Sequence, residues 1–174
     1  MFIKEYATFY GLQAAITRFG VIAGPRQMGK TDQGVVTLWM AKHYWKQPLK
    51  YIGYGGIGKQ VRDILHVDDL VDLIDLQIHQ MEKFNGKIYN AGGGLTNSAS
   101  LVEMTEICEK ITGNKIKITS EKQTRTADLR IFITDNTKIN NEIGWFPKKN
   151  VHQIFEDIYA WIVKNELILQ NILK

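Results

Sequence analysis

Short strand-like runs alternate with helix-like runs along this chain, and glycine-rich turns separate many of them. Phe2 to Tyr10 has the periodicity of an amphipathic helix, stopped by Gly11, and Gln13 to Ile22 reads as a strand. A turn-rich stretch, Gly24 to Gly34, leads into a helix over Val35 to Trp45 that Pro48 closes off. Leu49 to Ile52 is a short strand, Gly53 to Gly58 a glycine-rich turn and Gln60 to His66 a second extended run. Asp68 or Asp69 is expected to cap a helix through His79, with Val71, Ile74 and Ile78 at helical spacing. The pattern repeats as a strand at Lys87 to Asn90, a glycine turn at Gly92 to Gly94 and a helix from Ser100 to Thr112 ended by Gly113. Lys115 to Thr119 alternates as a half-buried strand, Ile131 to Ile133 is another, Asn136 to Ile143 is a short helix, and a last amphipathic helix starts at Val151. Such alternation belongs to the α/β class. Because the first helix starts in mid-pattern, a segment upstream is expected to be missing.

The 174 residues, 44% hydrophobic and 23% charged, suffice for one buried core, so a single region over residues 1–174 is expected. No window approaches the roughly 18 apolar residues of a membrane span, and Glu5 interrupts the apolar part of any signal peptide. A cytoplasmic protein with no membrane partner is the expectation. The lone cysteine, Cys108, excludes an internal disulfide or a thiolate cluster from one chain, and no metal site is expected. The net charge of +4 comes from scattered basic residues, adjacent only at Lys148 and Lys149, so no nucleic-acid partner is expected.

Gly24-Pro25-Arg26-Gln27-Met28-Gly29-Lys30-Thr31 fits the Walker A pattern, and Ile131 to Asp135 imitates a Walker B strand. In a P-loop the backbone amides, the Lys and the Thr hydroxyl would hold phosphates and Mg²⁺. Asp32, directly after Thr31, argues against an anion at that helix start, but a P-loop NTPase is one reading.

Five blocks support another. Arg18 to Gln27 (RFGVIAGPRQ), Gly58 to Asp69 (GKQVRDILHVDD), Tyr89 to Gly93 (YNAGG), Arg125 to Asp128 (RTAD) and Ile143 to Pro147 (IGWFP) occur in that order. They resemble the blocks of the NAD-dependent epimerase/dehydratase family of extended short-chain dehydrogenases. The segments Ala23 to Gly34 and Tyr51 to Gly56 are most similar to the branch of CDP-paratose (CDP-tyvelose) 2-epimerases. The resemblance implies the C-terminal part of a Rossmann-type fold with its smaller mixed α/β substrate-binding subdomain, residues 1–24 being a remnant of the Rossmann half and the dinucleotide-binding segment absent.

It also implies roles for residues. Arg62 and Arg125 would clamp the diphosphate of a nucleotide sugar, since the planar guanidinium binds phosphate oxygens bidentately; salt bridges to Asp63 and Asp128 are the plainer alternative. Asp128 matches the acidic position near the ribose, or else simply orients a guanidinium. Gln33, Gly34 and Val35 stand where free helix N–H groups favour an anion or a polar sugar edge, unless Asp32 caps that helix. Gln60 would join the same wall. His66 is expected to pack structurally, as are most of Trp39, Trp45, Trp145 and Trp161. Phe19 and Gly20 match strand-end positions near the nicotinamide of NAD, although Val21 stands where the family often has Asn.

For a complete enzyme the resemblance implies oxidation of the sugar C2 hydroxyl by bound NAD and return of hydride to the opposite face. This chain has no G-x-x-G-x-x-G after a first strand, and neither Tyr6 nor Tyr10 has a Lys four residues on, so no catalytic residue is expected in it. NAD would be bound mostly by another segment. Partners would be a CDP-linked deoxysugar and either a second copy or an N-terminal half that covers an apolar face on Phe2 to Tyr10 and Gln13 to Ile22. A stand-alone nucleotide-sugar binding or assembly module without catalysis is the alternative.

Overall fold

The computed structural model describes residues 2–30, 33–126 and 128–173. In chain order the elements are α1 (Phe2–Tyr10), β1 (Ile16–Phe19), β2 (Val21–Ala23), α2 (Val35–Tyr44), β3 (Leu49–Ile52), β4 (Val61–His66), α3 (Val67–His79), α4 (Met81–Phe84), β5 (Ile88–Ala91), β6 (Ser98–Ser100), α5 (Leu101–Thr112), β7 (Ile118–Glu121), β8 (Ile131–Phe132), α6 (Thr137–Ile143), α7 (Val151–Lys164) and α8 (Glu166–Leu173). This is the expected α/β class. Strand pairs β1–β5, β2–β4, β3–β7 and β4–β8 are parallel, and β4–β6 is antiparallel.

β4 is the hub. Its C-terminal half registers with β2, Ile64 opposite Val21, while its N-terminal half lies between β6 and β8, with Arg62 opposite Ala99 and Phe132. Alternation along the strand then feeds two separate cores. Ile64 packs with Trp39 and Met40 of α2, Met104 and Cys108 of α5, and Phe155 and Ile158 of α7. Leu65 points into a second core with Leu73, Phe84, Tyr89, Ile139 and Trp145, against which Phe19 packs. α2 is buried on nearly all sides, from Val36 to His43, because α5, α7 and α8 all pack on it.

Several expectations are corrected by tertiary pairing. The single strand over Gln13 to Ile22 is two strands, because the chain changes partner at Gly20, from β5 to β4. A side chain at Gly20 would meet the Asp63 carboxylate at 2.9 Å, which is why a residue without Cβ makes the switch. The strand expected at Lys115 to Thr119 is β7, displaced toward the C-terminus by its register with β3, Leu49 opposite Ile118 and Ile52 opposite Glu121. β5 runs one residue later than expected, and β6, three residues long, has no signature in the sequence. The last helix breaks at Asn165, whose side chain turns back to donate to the Trp161 carbonyl at 2.8 Å.

α3 is capped by neither aspartate. His66 is its N-cap, with Nδ1 accepting from the Asp68 N–H at 2.9 Å, and Asp68 and Asp69 lie in the first turn, where their charge complements the helix dipole. The stripe of Val71, Ile74 and Ile78 is exposed, because Leu70, Leu73 and Leu76 on another face meet the second core. α1 buries none of its residues, and Phe2, Ile3, Tyr6, Phe9 and Tyr10 are all exposed. β1, in contrast to the apolar face expected on that strand, is mostly half-buried: one edge pairs with β5, and Thr17 accepts a hydrogen bond from Gln77 of α3 at 2.7 Å.

The turn after β5 is pressed onto the hub. A Cβ at Gly93 would lie 2.2 Å from the carbonyl oxygen of Ile64, a backbone atom that cannot swing aside. Gly93→Ala is therefore expected to lower unfolding free energy by about 1–3 kcal/mol, the usual range for overpacking, as measured by chemical denaturation. An unchanged denaturation midpoint would show that the turn is looser than this contact requires.

Candidate functional site

A cavity of about 360 Å³ opens beside the N-terminal half of β4. Its wall joins an apolar set, Val35, Trp39, Ile52, Leu101 and Met104, to a polar set, Lys50, Gln60, Arg62, Arg125, Thr126 and Asp128. Arg62 reaches it from β4, with Nη2 donating to Asp128 Oδ1 at 2.8 Å and Nη1 to the Val61 carbonyl at 2.8 Å. The next side chain along, Asp63, is fully buried on the opposite face, accepting from the Gly94 N–H at 3.2 Å. Of the two aspartates weighed as salt-bridge partners in the plainer alternative, Asp128 pairs with Arg62.

The loop carrying Arg125 and Asp128 is tied down at both ends. Asp128 N–H donates to the Arg125 carbonyl at 3.2 Å, and the Tyr54 hydroxyl donates to the Asp128 carbonyl. Thr124 Oγ1 accepts from the Tyr54 N–H at 3.0 Å. Tyr54 makes both contacts from a left-handed backbone conformation, φ 48°, unusual for a side chain of this size. Gln60, the residue just before β4, donates from Nε2 to the Ile52 carbonyl and so ties the start of β4 to the end of β3. Three cations and one carboxylate line the cavity, so it offers positive charge next to an apolar surface, the combination that binds an anionic group attached to a flat apolar one.

Of the residues expected at a site, Arg62, Arg125, Asp128, Gln60 and Val35 are brought together here. Gln33 and Gly34 stand just before α2, Gly34 as its N-cap with φ 80°, and do not line the cavity; Asp32, the alternative cap, lies outside the described residues. Phe19 and Gly20 are elsewhere, at the end of β1, Phe19 against the second core and Gly20 against Asp63 and Thr134. Sequence reasoning missed Trp39, Lys50, Ile52, Leu101, Met104 and Thr126. The one signal was the spacing of Val35 and Trp39, and of Leu101 and Met104, each one helical turn apart.

The Walker-like segment does not form a P-loop junction. α2 begins at Val35, so Lys30 stands outside the helix and exposed, with its N–H donating to the Gln33 carbonyl at 2.7 Å. Gly29 instead abuts the helix a turn further on, where a Cβ would lie 2.4 Å from the Leu38 nitrogen; Thr31 lies outside the described residues. Asp135, the Walker B candidate, accepts from the N–H and the hydroxyl of Thr137, a local turn just before α6.

A sequence model of the family described as GDP-mannose 4,6 dehydratase matches residues 1–158. The chain belongs to this family. It is 32% identical over 162 residues to a CDP-paratose 2-epimerase of Salmonella typhi, a match that takes in 92% of this chain and 48% of that protein. A UDP-glucuronate 4-epimerase of Thermodesulfobacterium geofontis is 25% identical over 169 residues, 96% of this chain and 48% of its own. Among solved structures, UDP-glucose 4-epimerase of Thermotoga maritima with UDP-glucose superposes with TM-score 0.79 at 26% identity, over 95% of this chain and 51% of that one. dTDP-glucose 4,6-dehydratase of Bacillus anthracis with NAD gives 0.78 at 28% identity, over 99% and 51%. These relatives are nucleotide-sugar epimerases and a dehydratase, and the chain spans about half their length.

The family's cofactor is NAD. Among the described residues, the helices that follow a strand or its loop, α2, α3, α5 and α6, start from Gly34, His66, Ser100 and Asn136, and none opens on the glycine pattern that brings a pyrophosphate onto a helix N-terminus. At Gly20 an added Cβ would meet Asp63 at 2.9 Å and Thr134 at 3.0 Å, so the position takes only glycine.

His66, the one histidine of the family blocks, packs structurally as expected. It is 1% exposed; Nδ1 caps α3, and Nε2 lies 3.3 Å from Asp157, which Lys149 also contacts. Burial, reinforced by Lys149 and opposed by Asp68, Asp157 and Asp69, holds its pKa below the ordinary 6.5. The unfolded chain then takes up the proton first as pH falls, so stability is lost on acidification below about 6.5. His43, buried and likewise lowered, acts in the same direction. His66→Asn keeps a capping side chain without the titration, and its thermal midpoint should fall less than wild type between about pH 7.5 and about pH 5.5. Equal falls would remove His66 from the acid response.

Proposed function

We propose that this chain is the nucleotide-sugar-binding half of an NAD-dependent epimerase, acting on a CDP-linked deoxysugar at C2. The observation that carries the reading is the cavity itself, where Arg62 and Arg125, with Asp128 setting the first guanidinium, adjoin an apolar wall. A diphosphate asks for the first feature and a base for the second. The CDP choice is supported by the 32% identity to a CDP-paratose 2-epimerase over nearly the whole chain.

In this reading a second polypeptide segment supplies the dinucleotide loop and the Tyr and Lys pair, and holds most of the NAD. Residues 1–24 are the remnant of that Rossmann half, Phe19 and Gly20 form the edge of this chain nearest the cofactor, and Gln33 and Gly34 approach the substrate from the start of α2. The enzyme would work in the cytoplasm. The exposed apolar residues of α1 and of the Val71, Ile74, Ile78 stripe are the surface on which the other half, or a second copy, would pack.

Calorimetric titration of the chain with CDP, UDP and ATP tests the ligand. CDP should bind, and Arg62→Ala should weaken it at least tenfold, about the contribution of a charge-assisted hydrogen bond. Binding of ATP with Mg²⁺ alone would sink the reading. For the apolar surface, the chain should associate in analytical ultracentrifugation and take up apolar dyes; a monodisperse monomer that binds no dye would argue against a docking face.

A further inference from the structure

Trp39 is placed in the cavity wall by a residue that does not itself line the cavity. Thr105, on α5 and 7% exposed, donates its hydroxyl proton to the Leu101 carbonyl at 2.8 Å and accepts from Trp39 Nε1 at 3.0 Å. The Tyr51 hydroxyl lies 2.8 Å from the same oxygen. A hydroxyl has one proton and two lone pairs, so with its proton given to Leu101 the bond from Tyr51 must be donated by the tyrosine. Every bonding position on Thr105 is then used. Tyr51 is stacked on Trp39, centroids 6.3 Å apart and planes within 13°, and a Cβ at Gly58 would lie 3.0 Å from the Tyr51 ring. The indole is held by a hydrogen bond at its edge and a ring on its face, and Leu101, whose carbonyl closes the network, is a wall residue too.

We infer that Thr105 is the positioning residue for base recognition: it fixes Trp39 and Leu101 as the surface against which the base of the bound nucleotide packs, while Arg62 and Arg125 take the phosphates. This rests on the nucleotide-sugar reading above. It divides the site into an anion part that is independent of Thr105 and a base part that depends on it.

The two parts are separated by titrating wild type, Thr105→Val and Thr105→Ser with CDP and with inorganic pyrophosphate, which has no base. Thr105→Val should bind CDP about tenfold more weakly, the effect of unpairing buried polar groups, with pyrophosphate changed by less than about twofold; Thr105→Ser, which keeps the hydroxyl, should restore CDP affinity. If Thr105→Val does not fold, Trp39→Phe, which keeps a ring and lacks the N–H, should give the same selective loss. Parallel losses for CDP and pyrophosphate, or wild-type affinity for CDP in Thr105→Val or Trp39→Phe, would overturn the role of Thr105. A wild type that binds pyrophosphate as tightly as CDP would show that no base part exists and overturn it as well, whereas a wild type that binds neither would overturn the nucleotide reading on which it rests.

Discussion

The structure depends on the alternation of side chains along β4. Its even-numbered residues, Arg62 and Ile64, face the cavity and the first core, and its odd-numbered residues, Asp63 and Leu65, face the glycine turn and the second. A strand polar on both faces could tolerate a slip of register; this one could not, since moving by one residue would exchange an arginine with a fully buried aspartate and misdirect both cores together. Three partner strands and the close approach of Gly93 to the Ile64 carbonyl lock the same six residues from different directions. The site inherits this rigidity, because Arg62 is one residue from the shared core and its guanidinium is already held by Asp128 and by the Val61 carbonyl.

What the sequence made legible was local. Helices came through where a stop signal and a periodic face agreed: Gly113 ends α5 in a left-handed conformation, and Ser100 opens it with a reciprocal capping box to Glu103. Errors gathered where partner strands decide. Nothing in Gln13 to Ile22 announces that the chain trades β5 for β4 at Gly20, and β7 lies where β3 needs it and not where the alternation is cleanest. α3 carries two apolar stripes, and periodicity alone has no way to choose which one meets the core.

The polar part of the site was readable because it lies in short blocks, Gln60 and Arg62 in one and Arg125 and Asp128 in another, that a resemblance can recognise. The apolar part was not. Trp39 reads as core from its helix, and it is 4% exposed; that its remaining surface faces a cavity depends on β3, α5 and the 124–128 loop meeting around it. Thr105 is harder still, a mid-helix threonine whose back-bond to Leu101 is ordinary for its type until the two aromatic partners are seen.

The pairing of Arg62 with Asp128 is poorly explained as a source of stability. Both side chains are about three-quarters buried, at 22% and 27% exposure, so each gives up much of its hydration, and the attraction between them does little more than offset that loss. The geometry is better explained as preparation. Arg62 also donates to a carbonyl of its own strand, and Asp128 is positioned through Tyr54 and the Arg125 turn, so the guanidinium is oriented before anything enters. An arginine free in solution would lose side-chain entropy on meeting a phosphate; one already immobilised has lost it on folding. The same reasoning applies to the indole of Trp39, held by Thr105 and Tyr51. Cationic and apolar parts of the wall are both fixed in advance by residues that spend their hydrogen bonds on the protein, which leaves the remaining surface for the ligand.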